Sequence, residues 1–233
     1  GEDTGCNDKH FSPILHGYST GFKLLNFTQF HPPSTSYRRF FLLFAAHDTT
    51  TSTLCSIIYA LAKNPEWQDI LYEECKLIDG DHLNYDDLPK LDKAALVMKE
   101  ALRMYPPVPA IPRRLIKETE IMGYTLPANT GIGISPLFTH YMEEWWSEPT
   151  KFDPERFSAE RAEHKRHLYQ WIPFGGGGHK CIGLNFAEMQ VKLFMFHLLR
   201  NYKISTKPGY QMKYNAVPIS FPTDGLPVTI TAR

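Results

Sequence analysis

Phe174-Gly175-Gly176-Gly177-Gly178-His179-Lys180-Cys181-Ile182-Gly183 is the stretch on which the reading of this chain turns. A run of glycines is followed closely by one cysteine, and beyond the cysteine the sequence turns apolar. Glycine has no Cβ, so a backbone here can lie flat against a large planar ligand. Cys181 falls near the start of an expected helix, where unpaired backbone N–H groups favour negative charge. A thiol placed there loses its proton more easily and can act as a thiolate metal ligand. The plainer alternatives are a flexible loop and a small buried cysteine, and this stretch alone leaves both open.

Outward from the loop, Ile182 to Leu199 is apolar on almost every face, the pattern of a central buried helix. Trp171, Ile172 and Pro173 lead into the glycines from the other side. Further upstream, Ala159 to His167 is charged and aperiodic, which predicts surface. Phe152-Asp153-Pro154-Glu155-Arg156-Phe157 predicts a proline-fixed turn with Arg156 held between aromatics, and a short helical stretch is expected around His140 to Trp146. Ile111 to Gly133 alternates as short strands with turns at Gly123 to Asn129.

A helix from about Lys93 to Tyr105 stops at Pro106-Pro107. It carries Glu100 and Arg103, three apart and so on one face. Leu96, Val97, Ala101 and Leu102 around them suggest a buried pair, and a buried pair requires a further partner. A helix opening at Pro65, with Asn64 as its N-cap, is expected to run to Gly80. Before it, apolar residues from Phe40 to Leu61 predict a long helix interrupted by the polar run His47-Asp48-Thr49-Thr50-Thr51-Ser52-Thr53. Hydroxyls there compete for backbone carbonyls, which points to local helix distortion at a functional site. Residues 1 to about 36 show no sustained period, and Pro227 to Ala232 is the clearest strand near the end of the chain.

With 42% hydrophobic and 21% charged residues, the 233-residue chain can bury a core and does not resemble a disordered one. Its 25 basic and 25 acidic residues give a formal net charge of zero, so no basic excess points to nucleic acid. Cys6, Cys55, Cys75 and Cys181 are widely spaced with no CxxC pair, which argues against a zinc site or a disulfide scaffold and for a reducing compartment. No apolar run is long enough to cross a membrane, and no signal peptide is visible at the start.

Taken together, four of these stretches resemble the cytochrome P450 haem-thiolate monooxygenases, in the right order and at sensible spacing. Phe174 to Gly183 resembles the family's cysteine-ligand loop. Glu100-Ala101-Leu102-Arg103 resembles its Glu-x-x-Arg element, and Phe152 to Phe157 resembles the aromatic–arginine element that completes that network. Ala45-Ala46-His47-Asp48-Thr49-Thr50 resembles its oxygen-activation motif. The likeness covers about residues 38 to 233. It implies a mainly α fold with small β-sheets (α+β): the C-terminal part of the family's fold, from the long central helix through the cysteine-ligand loop and the helix after it. Residues 1–36 are then unassigned, and 37–233 form the C-terminal portion of a haem-thiolate monooxygenase domain.

The resemblance also implies a chemistry. Haem b (iron protoporphyrin IX) would be held by Cys181, with Phe174, Gly175 and Gly183 forming the loop beside it. The family usually has arginine two residues before the ligand; this chain has His179, which would take over a propionate contact. Arg113 is expected to reach a propionate too, with Arg114 as the fallback. Ala46 stands where glycine is common. Asp48 and Thr49 would deliver protons, while Glu100, Arg103 and Arg156 would fix the loop structurally. A ferredoxin or flavoprotein reductase would donate electrons, and a lipophilic small molecule would be the substrate, with Val108, Ala110 and Ile111 as candidate pocket residues. The expected setting is cytoplasmic, as for a soluble bacterial-type protein, or membrane-anchored if further N-terminal sequence carries an anchor. One alternative is a truncated haem-binding or structural remnant without turnover. Another is a peroxide-rearranging member, against which Asp48-Thr49 counts.

Overall fold

The computed structural model describes residues 35–233, with side chains from residue 42 onward. The unassigned segment at the start lies almost wholly outside the described residues. Helix α1 (Thr35–Lys63) runs unbroken through the polar run where distortion was expected. Three of the five hydroxyls bond back to the helix itself: Thr49 Oγ1 donates to Ala45 O at 2.7 Å, Thr51 Oγ1 to His47 O at 2.8 Å and Thr53 Oγ1 to Thr49 O at 2.8 Å. Back-bonding of this kind uses the second lone pair of each carbonyl and leaves the i→i−4 ladder in place.

Helix α2 (Pro65–Cys75) opens on proline as expected but ends at Cys75, short of Gly80. Tight turns take over there, Leu77 N–H to Glu74 O and Ile78 N–H to Cys75 O, and they drop Ile78 into the core. Asn64 stands at the N-cap position without capping α2. Its Nδ2 instead donates 2.7 Å to Ala60 O and closes the end of α1. Helix α3 (Asp92–Met104) stops before the two prolines, which disfavour helix at the residue preceding them.

Among the described residues the strands form four two-stranded antiparallel sheets. β1 (Ile111–Arg114) pairs with β4 (Gly131–Ile134), and β2 (Thr119–Ile121) with β3 (Tyr124–Leu126). β5 (Tyr202–Ser205) pairs with β8 (Thr229–Ala232), and β6 (Tyr214–Asn215) with β7 (Phe221–Pro222). Between β4 and the glycine loop, helix α4 spans Pro136–His140 rather than starting at His140. Ser135 caps it through Phe138 N–H, and Pro136 sits at its first position, so helix begins where those two residues place it.

Helix α5 (Leu184–Asn201) starts beyond the cysteine, with Gly183 at its N-cap. Apolar on all faces is not buried on all faces here. Val191, Met195, Phe196 and Leu199 enter the core, while Phe186 is 52% and Ile182, just ahead of the helix, 96% exposed. The core joins α1 (Ile57, Leu61), α2 (Leu71), α3 (Val97, Ala101), α5 and Ile204 of β5. Buried Gln68 ties three of these elements: Nε2 donates 2.8 Å to both Leu61 O and Ile204 O, and Oε1 accepts from Ile204 N–H at 2.8 Å. Among the described residues, no helix is long and apolar enough to cross a membrane.

Candidate functional site

Helix α3 presents one turn that is charged and yet sealed from water. Glu100, Arg103 and Arg156 are all 0% exposed. Arg103 grips Glu100 with two nitrogens, Nε to Oε2 at 2.7 Å and Nη2 to Oε1 at 2.9 Å. Arg156, on the 3-10 turn Pro154–Phe157, adds Nε to Glu100 Oε1 at 3.1 Å, and Asp153 N–H reaches the same oxygen at 2.9 Å. Backbone carbonyls take further guanidinium hydrogens: Arg103 Nη1 donates to His140 O at 2.7 Å, and Arg156 Nη1 to Ser147 O at 2.7 Å. The aromatic company expected around Arg156 is found at Arg103, whose guanidinium lies 5.5 Å from the Tyr141 ring and 5.4 Å from that of Trp146.

Two guanidiniums on one carboxylate leave a buried positive charge, which costs several kcal/mol unless another anion answers it. Glu163 is that anion. It is 3% exposed, although the charged run that contains it reads as surface. Its Oε2 accepts from Arg156 Nη1 at 3.1 Å, and its Oε1 accepts from Ser147 Oγ at 2.8 Å and Arg161 Nη2 at 2.6 Å. Burial pushes the Glu163 carboxyl up, but the bonds from Arg161 and Ser147 and the Arg156 charge outweigh it and hold the pKa down to about 2. Charge counting was the signal in the sequence: a Glu with two Arg implies one more acid, though not which.

His140 is also missed by sequence reasoning. It is fully buried, and burial drives its pKa down to about 3 with help from the Arg103 charge. Nδ1 meets Arg103 O at 3.0 Å, and Nε2 meets Ile172 N at 3.1 Å.

The glycine loop is closed on itself. Gly175 N–H donates to Ile172 O at 3.0 Å, and Cys181 N–H to Phe174 O at 2.9 Å. Gly175 and Gly177 take left-handed φ values of 71° and 63°, which side chains with a Cβ resist. Gly176 lies under Tyr169, whose ring a Cβ there would meet at 3.1 Å. Trp171 Nε1 donates to Lys99 O at 3.2 Å and pins the approach to the loop onto α3. Cys181 emerges exposed at the end of this frame, with open space above Gly177 and Gly178.

On α1, Asp48 Oδ1 lies 2.9 Å from His47 Nδ1, next to Thr49. Arg113 and Arg114 are exposed on β1; their guanidiniums reach the carbonyls of Pro112 and Asn129, both at 2.9 Å. His179 is exposed on the 3-10 turn Gly177–His179, and its ring makes no hydrogen bond among the described residues. Glu100, Arg103 and Arg156 thus come together, as do Phe174, Gly175 and Cys181. Val108, Ala110 and Ile111 do not line the cleft of about 640 Å³ beside α4, whose walls include Leu137, Phe138, Tyr141 and Tyr214.

A family model described as Cytochrome P450 matches residues 29–228. Putative cytochrome P450 136 of Mycobacterium tuberculosis is 42% identical over 196 residues, covering 83% of this chain and 39% of that protein. Thromboxane-A synthase of Mus musculus is 33% identical over 220 residues, covering 87% of this chain and 40% of that one. A solved structure, retinoic acid bound cyanobacterial CYP120A1, superposes with a TM-score of 0.79 at 30% identity, over 83% of this chain and 45% of that chain. The chain belongs to the cytochrome P450 family. Its helices and small sheets are the C-terminal part of that fold, and it spans about two fifths of the length of the curated relatives named here.

The residues present fit a haem. An exposed thiol ends a loop in which Gly177 and Gly178 leave space free of side chains, and Ile182 and Phe186 offer apolar area next to it in sequence. That donor set suits a flat, largely apolar group bonded through sulfur.

Proposed function

We propose that this chain is the haem-binding portion of a haem-thiolate monooxygenase. Such an enzyme inserts one atom of O2 into a lipophilic substrate and releases the other as water, with two electrons from a redox partner and two protons. The observation that carries this reading is the exposed Cys181 thiol at the end of a loop closed by Cys181 N–H to Phe174 O at 2.9 Å. Haem b, when bound, supplies the oxygen-activating chemistry. Cys181 would hold it as a thiolate, with the glycine backbone alongside. His179 and Arg113, both exposed, are the candidates to meet the propionates.

Asp48 and Thr49 are assigned to moving protons. The Asp48 carboxylate, 2.9 Å from His47 Nδ1, can take up and release a proton at Oδ1. Thr49 Oγ1 gives its own hydrogen to Ala45 O, so its lone pairs are free to accept. To hand a proton on, the hydroxyl must swing away from Ala45 O, a rotation about one bond. With a flavoprotein reductase supplied, Thr49→Ala should release about tenfold more hydrogen peroxide per NADPH consumed than the parent. Unchanged coupling in that variant would remove Thr49 from the relay.

The test of the whole reading is to purify the chain, measure haem retention and record the reduced spectrum under CO. A Soret band at the long-wavelength position of thiolate-ligated haem is expected. Failure to retain haem would favour a structural remnant of the family. Haem retained with a short-wavelength band would reject Cys181 as the ligand.

A further inference from the structure

We propose that His140 is a positioning residue for the Cys181 loop: its ring joins the last turn of α3 to Ile172 and so sets where the thiol stands. The inference rests on the reading of Cys181 as the haem ligand. The geometry fixes the ring's chemistry without reference to pH. A carbonyl can only accept and a backbone N–H can only donate. Arg103 O, 3.0 Å from Nδ1, therefore requires the hydrogen on Nδ1, and Ile172 N–H, 3.1 Å from Nε2, requires that Nε2 be bare. A neutral ring with one donor and one acceptor is the only form that satisfies both.

The joint is reciprocal. While His140 donates to the Arg103 carbonyl, Arg103 Nη1 donates to the His140 carbonyl at 2.7 Å. The same arginine holds Glu100, so the ring is registered against the buried charge network. Trp146 stands edge-on to the imidazole at 6.4 Å between ring centroids, and the site is closed to water. Beyond the ring, the route to the thiol is short. Ile172 O accepts from Gly175 N–H, and Phe174 O accepts from Cys181 N–H. Trp171, one residue earlier, is anchored to Lys99 O. Residues 171 and 172 are therefore pinned twice to the α3 side, and the loop departs from that point.

Space-filling alone would be met by any apolar side chain of this size, so the two hydrogen bonds must be separated. In His140→Asn, Nδ2 can replace Nδ1–H toward Arg103 O while Ile172 N–H is left without an acceptor. In His140→Gln, Oε1 can reach the Nε2 position and accept from Ile172 N–H while the Arg103 bond is given up. Both variants are made in the 233-residue chain, and amide exchange is followed by mass spectrometry. Exchange across residues 172–181 is expected to be about tenfold or more faster in the Asn variant and within about threefold of the parent in the Gln variant. With haem loaded, the Asn variant should also show a larger fraction of short-wavelength CO band, restored in the Gln variant. Equal acceleration in both variants, or in neither, overturns the proposal. If the parent itself shows no thiolate band, the ligand reading fails, and the exchange comparison still decides whether His140 holds the loop.

Discussion

Glu100→Gln is expected to lower stability by about 3–5 kcal/mol, the cost of breaking a buried ion pair by removing one partner. Arg103 and Arg156 are both 0% exposed, and Glu100 takes three of their nitrogen contacts as well as Asp153 N–H. The neutral amide keeps the volume but removes the charge, and its NH2 cannot accept from either guanidinium. Glu163 then faces two buried cations alone, and it contacts only Arg156 of the pair. For a chain of this length each kcal/mol moves the thermal midpoint by about 2–4 °C, so a drop on the order of 10 °C should appear by calorimetry. The comparison is Arg161→Gln. Its side chain is 38% exposed, and buried Glu163 keeps Arg156 Nη1 and Ser147 Oγ when Arg161 is neutralised, so the loss should be well below that of Glu100→Gln. Equal losses in the two variants would show that burial of the Glu100 network is not what makes it matter.

Cys181→Ser should do the reverse, removing the chemistry while leaving the fold. The side chain is exposed, and the loop closes through the Cys181 backbone N–H, which serine retains. The change in unfolding free energy is expected to stay within about 0.5 kcal/mol, as for surface substitutions away from special features. The hydroxyl ionises far less readily than a thiol, so the long-wavelength band of the CO complex should be lost altogether. A variant that keeps the parent's band would exclude Cys181 as the ligand. A variant that unfolds would show that the thiol supports the loop in some way beyond its backbone.

The legible parts of this chain were those written in local spacing. Glu100 and Arg103 are three apart on one apolar helix, so their shared face followed from helical geometry alone. The two prolines after Tyr105 marked the end of α3 within a residue. What stayed hidden was set by irregular turns or by distant contacts. Glu163 meets Arg156 through a bend of the chain, inside a stretch whose composition predicts surface. His140 links residues 103 and 172, and no local pattern announces a bond across such separations. The polar run in α1 misled for another reason: five hydroxyl residues in a row suggest a distorted helix, but three of them bond the carbonyl one turn behind and the helix stays regular. The exposed start of α5 could not be foreseen, because an all-apolar sequence does not say which of its faces are covered.

Helix α3 is thirteen residues long, and Ala101 of the core stands directly beside Glu100 of the ionic cluster. The oil-filled half of the molecule and its saline knot therefore share one rod. Neither can be retuned in isolation: a methyl group added on the greasy side would press on the rod, and the strain would reach the approach to the glycine loop through the Trp171 bond to Lys99 O. A protein engineer who wanted to move the glycine loop could begin far from it, by repacking Val97 and Ala101.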